Sequence, residues 1–146
     1  MKKIYIASPL FTQQEKEKID TVVTILRNRG CSVFSPKDHQ IPNAWKMRNE
    51  DWAHQVFYAD KIALDEAEIV VALDYGYTAD SGTSWEIGYA YAKNKYVVVI
   101  PMTPPPVSYS LMLHFGCSTI LNSIWDLCSF DFNSQKKEKQ FNYKLA

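Results

Sequence analysis

Apolar and polar positions fall into blocks along the chain, and the spacing within each block changes from segment to segment. Lys2 to Ser8 (KKIYIAS) is a short β-branched and aromatic run, which predicts a strand. From Thr12 to Arg29 the apolar residues Ile19, Val22, Val23 and Leu26 recur at helical spacing, and Gly30 is a good stop signal. CSVFSP returns to a strand that Pro36 ends, and KDHQIPNA is a loop. A long helical pattern then runs from about Trp45 to Ala67. It is charged on one side and carries Trp52, Val56, Ile62 and Leu64 on others.

Glu68 to Asp74 (EIVVALD) is a continuous apolar run, the mark of a strand covered on both faces. Ser81 to Lys93 predicts the next helix, and KYVVVIP a second buried strand ended by proline. MTPPPVS reads as a rigid loop, YSLMLHFG as one short helix and CSTILNS as a last strand. The tail after Asp126 is aromatic, then basic, and KKEK (Lys136 to Lys139) is a solvated run. Strands alternating with helices imply βαβ units. The expected fold class is α/β: a doubly wound, mainly parallel five-stranded sheet with helices on both faces, flavodoxin/Rossmann-like, with residues 1–146 as one domain. Ligands of such sheets bind beyond the carboxyl ends of the strands, which here means ASPLF, PKDHQ, DYGYTADSG and PMTPPP.

Composition narrows the class. Apolar residues make up 47% and charged residues 22% of the chain, the balance of an ordinary soluble globule. No apolar run approaches the ~20 residues of a membrane helix. The run after the basic N-terminal pair is too short for a signal peptide, so a cytoplasmic location is expected. Sixteen basic residues balance sixteen acidic ones without a long basic block, which speaks against a nucleic-acid polymer as partner. Cys31, Cys117 and Cys128 form no CxxC pair and suit reduced, buried thiols. His39, His54 and His114 show no metal-ligand spacing, so no metal is expected. ASPLF stands where a dinucleotide fold would carry GxGxxG, and GxxxxGK[ST] is absent as well.

The candidate chemistry lies in DYGYTADSGTSWEIGYAYA, Asp74 to Ala92. Glu86 sits in the opening turns of a helix that starts at the ligand edge of the sheet. Its plain reading is a helix cap: TSWE (Thr83 to Glu86) fits a capping box, and Asp80 and Ser81 are ordinary helix-start residues. The sharper reading is an active site. Trp85 and Ile87 flank the glutamate with apolar bulk, while Gly82 and Gly88 thin the backbone and leave room for a ligand. A carboxylate held this way can attack a carbon, and Asp80 and Asp60 are candidates for an acid of raised pKa.

The pattern YIASPLF, KDHQ, YADKIALDEAEIVVA, DSGTSWEIGYAYAKNKYVVVI and SLMLHFG, in this order, resembles the nucleoside 2-deoxyribosyltransferases from about Lys3 to Ser123. The D-x-G-x-x-x-E-x-G block, Asp80 to Gly88, is the most specific part. The resemblance implies that Glu86 attacks C1′ of the 2-deoxyribose, expels the base and forms a covalent intermediate. A second base then attacks, with the double-displacement logic of a retaining glycosidase. Asp80 matches an aspartate that recognises the base, and Asp60 another active-site aspartate. Tyr5 matches a tyrosine that positions the nucleophile, Phe11 an aromatic near the base and Gln40 a glutamine contacting it. Asp38 and Ser8 lie in the same loops. Each has a plain alternative: a cap, a solvated helix face, a core tyrosine, a packing aromatic or a loop polar residue. His39, beside Gln40, reads as a loop histidine.

One departure stands out. Many members of the family have Asn-Leu-Met where this chain has Ser110 to Met112 (SLM), and that asparagine comes from a neighbouring subunit. Related nucleotide N-hydrolases hold a 5′-phosphate with a serine in a comparable region. Ser110 therefore raises an alternative, hydrolysis of deoxynucleosides or their 5′-monophosphates. Met112 still matches, with a gap-filling core methionine as its plain reading. The resemblance further implies deoxynucleosides and nucleobases as partners, purines favoured, with no cofactor. It implies homo-oligomers, dimers assembling into hexamers, with sites completed across subunits. Trp45, Trp52, Phe57, Tyr58, Tyr89 and Tyr91 are aromatics available for interfaces, and Tyr143 is a candidate participant from the tail. A non-catalytic nucleotide-sensing module on the same fold is the reading of another class.

Overall fold

The computed structural model describes residues 1–76, 80–103, 108–139 and 141–146. In chain order the elements are β1 (Lys3–Ala7), α1 (Gln13–Asn28), β2 (Ser32–Phe34), α2 (Asn49–Glu66), β3 (Ile69–Asp74), α3 (Ser81–Ala92) and β4 (Tyr96–Pro101). Then come β5 (Ser108–Tyr109), α4 (Leu111–Phe115), β6 (Thr119–Ile120) and β7 (Lys144–Leu145). Five strands form one sheet in the order β2-β1-β3-β4-β6, every neighbouring pair parallel. The α/β fold with a parallel five-stranded sheet is the one expected.

Alternation along β1 explains the two layers. Ile4 and Ile6 pack on one face with Ile19, Val22, Val23 and Leu26 of α1 and with the short 3₁₀ turn Ile124–Cys128. Tyr5 and Ala7 point to the other face, against Leu64 of α2 and Ile87 and Ala90 of α3. Every residue of β3 is buried, as its unbroken apolar run requires when helices cover both faces. Burying one Leu or Ile side chain in such a layer stabilises the fold by about 1.5–3 kcal/mol. The two layers therefore hold α1 and α3 against opposite faces of the sheet, each starting beyond the carboxyl end of a strand.

Some boundaries differ from the sequence pattern. The long helix begins at Asn49, not Trp45: Ala44–Lys46 is a separate 3₁₀ turn, entered through Asn43 in the left-handed region (φ 58). Extended backbone at Met47 and Arg48 then breaks the run. The last strand of the main sheet is only Thr119–Ile120. β5 and β7 make an additional two-stranded sheet, and part of MTPPPVS and of DYGYTADSG lies outside the described residues. The cysteines are free, but Cys128 is exposed and Cys31 only half-buried, so of the three only Cys117 is the buried thiol expected. Among the described residues no helix is long and apolar enough to cross a membrane.

Candidate active site

The start of α3 decides what Glu86 is free to do. Asp80 is the N-cap, and its Oδ2 accepts hydrogen bonds from the Thr83 backbone N–H at 3.0 Å and the Thr83 hydroxyl at 2.9 Å. Gly82 permits this fold-back, because a Cβ there would come within 3.1 Å of the same oxygen. Thr83 already lies inside the helix, so the capping box expected over Thr83 to Glu86 does not form. Asp-x-x-Thr outcompetes Thr-x-x-Glu because the aspartate reaches the orphan amides first and carries the charge that the helix dipole favours. Glu86 is left with no capping duty.

Glu86 projects instead into a cavity of about 400 Å³ lined by Phe57, Asp60, Lys61, Leu64, Ser81, Gly82 and Trp85. Its Oε2 is sealed from solvent and has no hydrogen-bond partner among the described residues. An unpaired buried carboxylate is costly. Burial pushes its pKa up to about 8; the nearby Tyr5 hydroxyl opposes the rise, and the Asp60 and Asp80 carboxylates add to it. Asp60 is pushed up to about 6, again by burial, with His39 opposing. Tyr5 is buried in the middle of β1 and held far above the usual phenol range, first by burial and then by Glu86 and Asp60. Its hydroxyl lies close enough to act on Glu86, yet without the alignment of a full hydrogen bond. Two raised carboxyls and a buried phenol thus share one small space.

The other expected residues divide into two groups. Ser8 is buried after β1 with its hydroxyl donating to the Pro9 carbonyl at 2.9 Å. Phe11 is exposed just before α1, whose capping box is formed by Thr12 and Glu15. Asp38 and Gln40 are exposed in the segment after β2, where Asp38 lies 3.5 Å from Lys37 and 3.9 Å from Arg27. All four occupy the carboxyl edge without lining the Glu86 cavity.

Ser110 and Met112 lie elsewhere. They line a second cavity of about 770 Å³ on the opposite side of α3, with Ser84, Ile87, Gly88 and Tyr91. Ile87, expected to help enclose the glutamate, faces that second space, while Trp85 keeps to the Glu86 side. Ser110 is the N-cap of α4 and accepts from the Leu113 N–H at 3.4 Å. Tyr143 is not in the Glu86 cavity: its ring packs on Tyr109 and Phe141, and burial pushes its hydroxyl up to about 12. Phe57, Lys61 and Leu64 are lining residues that the sequence reading missed; Phe57 and Leu64 stand three and four residues from Asp60 on α2, the helical spacing that could have found them, while Lys61 is Asp60's sequence neighbour. Among the described residues no three His, Cys, Asp or Glu side chains cluster to hold a metal ion.

Comparison with known proteins identifies the family and the fold. A family model described as nucleoside 2-deoxyribosyltransferase matches residues 4–142. A nucleoside deoxyribosyltransferase of Lactobacillus johnsonii is 27% identical over 88 residues, 60% of this chain and 58% of that protein, so the match spans little more than half of that relative. The solved 2-deoxyribosyltransferase of Bacillus psychrosaccharolyticus superposes with a TM-score of 0.83 at 27% identity, covering 94% of this chain and 98% of that one. The CMP N-glycosidase of Clostridium botulinum shares the fold, with a TM-score of 0.57 at 22% identity over 87% and 95% of the two chains.

Proposed function

This chain belongs to the nucleoside 2-deoxyribosyltransferase family, and on that premise we propose that it transfers 2-deoxyribose between nucleobases through a covalent bond to Glu86. The observation that carries the reading is the buried, unpartnered Oε2 of Glu86 in a cavity shared with Asp60. With values of about 8 and about 6, the two carboxyls titrate as a pair around neutrality. In the productive complex the proton resides on Asp60 and the charge on Glu86, where the oxocarbenium-like sugar carbon attracts it. The carboxylate oxygen bonds to C1′ as the C1′–N bond breaks, and the departing base takes the Asp60 proton. An incoming base repeats the displacement from the opposite face, which restores the β-anomer, and returns its proton to Asp60. Purine deoxyribonucleosides are the substrates favoured, on the likeness of the DSGTSWEIG segment to purine-preferring members.

Ser110 and Met112 reach the nucleophile only if a second copy presents them. Met112 is 74% exposed, Phe115 64% and Tyr91 62%, an apolar surface suited to association. Homodimers, built up into larger rings, with α4 of a neighbour closing each Glu86 cavity, complete the proposal.

Hydrolysis is the second reading, with water in place of the acceptor base and the same Glu86. Ser84, Ser108 and Ser110 line the large cavity, across α3 from Glu86, and bear on this reading only as hydroxyl donors to a substrate's 5′-phosphate. A 5′-monophosphate is a poorer fit: among the described residues no basic side chain lines that cavity, and Asp74 does. The experiment is a chromatographic assay with deoxyinosine and adenine, repeated without adenine and with Glu86→Ala. Deoxyadenosine formed only with adenine, and lost in the variant, is the expected result. Hypoxanthine released equally without adenine identifies a hydrolase. No turnover of nucleosides or monophosphates overturns both and leaves a nucleotide-binding module.

A further inference from the structure

The segment after β2 holds a residue the reaction above does not use. His39 closes the 3₁₀ turn Pro36–Asp38, its N–H donating to the Pro36 carbonyl at 3.2 Å. Its imidazole packs on Phe34, ring centroids 5.5 Å apart and planes tilted by 38°. Phe34 in turn stacks on Tyr5 at 5.6 Å with the rings within 11° of parallel. Three rings therefore run inward from the surface loop to the fully buried tyrosine beside the nucleophile. Offset stacking of this kind restricts each ring's tilt and keeps water off its face.

We propose that His39 is a positioning residue of the Glu86 site, holding Tyr5 through the ring of Phe34 and placing a basic side chain where it acts on Asp60. The proposal rests on the assignment of Glu86 and Asp60 above. His39 opposes the rise that burial forces on Asp60. The surrounding charges do not substitute for it. Asp38 lies near Lys37 and Arg27, and Lys37 pairs with Asp20 of α1 at 2.9 Å. Lys61, the cation lining the cavity, is bound to Asp65 at 2.9 Å. From α3, Glu86 and Asp80 contribute negative charge to the same carboxyl group cluster. Gln40, the expected base contact, is the next residue, so a purine seated on this loop bears on His39, and through the stack on Tyr5.

The test uses the full-length protein with ¹³C-labelled aspartate and glutamate carboxyls, Asp60 being assigned from Asp60→Asn. His39→Gln is expected to raise the Asp60 titration midpoint by roughly half a unit or more, and His39→Lys to bring it back. The acid limb of the kcat/KM profile for deoxyinosine and adenine moves upward with it, while Phe34→Leu lowers kcat at every pH without moving the Asp60 midpoint. An Asp60 midpoint unchanged in both His39 variants overturns the proposal, as does activity scaled equally at all pH values in His39→Gln. If His39→Gln does not fold, His39→Asn takes its place as the uncharged variant, with the same expected and overturning outcomes. A protein that neither transfers nor hydrolyses sinks the functional reading, whereas the carboxyl titration still judges His39.

Discussion

The two sides of α3 handle a buried carboxyl in opposite ways. On one side Glu86 faces the smaller cavity with Oε2 unpartnered. On the other, Asp74 at the end of β3 is 3% exposed, yet its Oδ2 accepts the Tyr109 hydroxyl at 2.6 Å and the Gly76 backbone N–H supports it as well. Burial raises both groups above their ordinary values, and for Asp74 those two donors pull back. Asp74 ties β5, and through it β7, to the main sheet, with two donors on its carboxyl group. Glu86 keeps an acceptor open at the price of stability. An unfilled hydrogen-bonding capacity, more than a raised pKa, separates the reactive carboxyl from the structural one.

Glu86→Gln tests that distinction most severely. Transfer is expected to fall by on the order of 10³-fold or more, as when any covalent nucleophile is removed. Stability moves the other way, and with a definite pH dependence. The folded-state value of about 8 lies above the ordinary glutamate value, so the native chain holds the proton more tightly than the unfolded one. Stability is then full below the ordinary value and is lost as pH rises through about 8. The variant has no such loss, so its advantage in chemical denaturation grows from pH 5 to pH 9, reaching on the order of 3 kcal/mol. A variant no more stable than wild type at pH 9 means that Glu86 is satisfied by something other than substrate.

Tyr109→Phe probes the partnered carboxyl and has a smaller effect. It leaves Asp74 buried without its hydroxyl donor, a loss of about 1–3 kcal/mol. Removing a group that lowers the Asp74 value raises it further, so the destabilisation is least in acid, where Asp74 is protonated in either state. It increases toward neutral pH. A loss independent of pH between 4 and 7 identifies the bond as one made to a protonated Asp74, and the contrast with Glu86 then narrows to geometry alone.

What the sequence could say about these regions follows from how much local pattern each one leaves. β3 and β4 are uninterrupted apolar runs, and α1 carries both an apolar stripe and a Thr12–Glu15 capping box, so each is legible within a residue or two. β5, β6 and β7 have two residues each and leave no period to read. The start of α3 offered two overlapping cap signatures, and only the fold shows that Asp80 takes the role and releases Glu86. Glu86, Asp60 and Gly82 could be nominated from a carboxylate-bearing helix that starts at the ligand edge of the sheet, whereas Tyr5 was named only through the resemblance of YIASPLF to the family. The stack of His39 on Phe34 and Phe34 on Tyr5 could not, since it joins residues through the packing of β2 against β1 and not through spacing.

The smallest expected change in stability bears on the larger cavity. Gly88 lies on the outer face of α3 at helical φ, exposed, and a Cβ built there meets no atom within 4 Å. In an isolated chain Gly88→Ala should therefore strengthen α3 by about 1 kcal/mol, because alanine loses less backbone freedom than glycine. If a second copy seats α4 against this face, the same methyl group stands in the contact. The expected outcome is a higher unfolding temperature at low protein concentration, combined with weaker association in sedimentation and a transfer rate that falls in step with it. Association and activity both equal to wild type, in a protein made more stable, would mean that the large cavity is open surface and that Ser110 and Met112 belong to no neighbour's site. The Glu86 cavity would then have to complete its reaction with the side chains of one subunit.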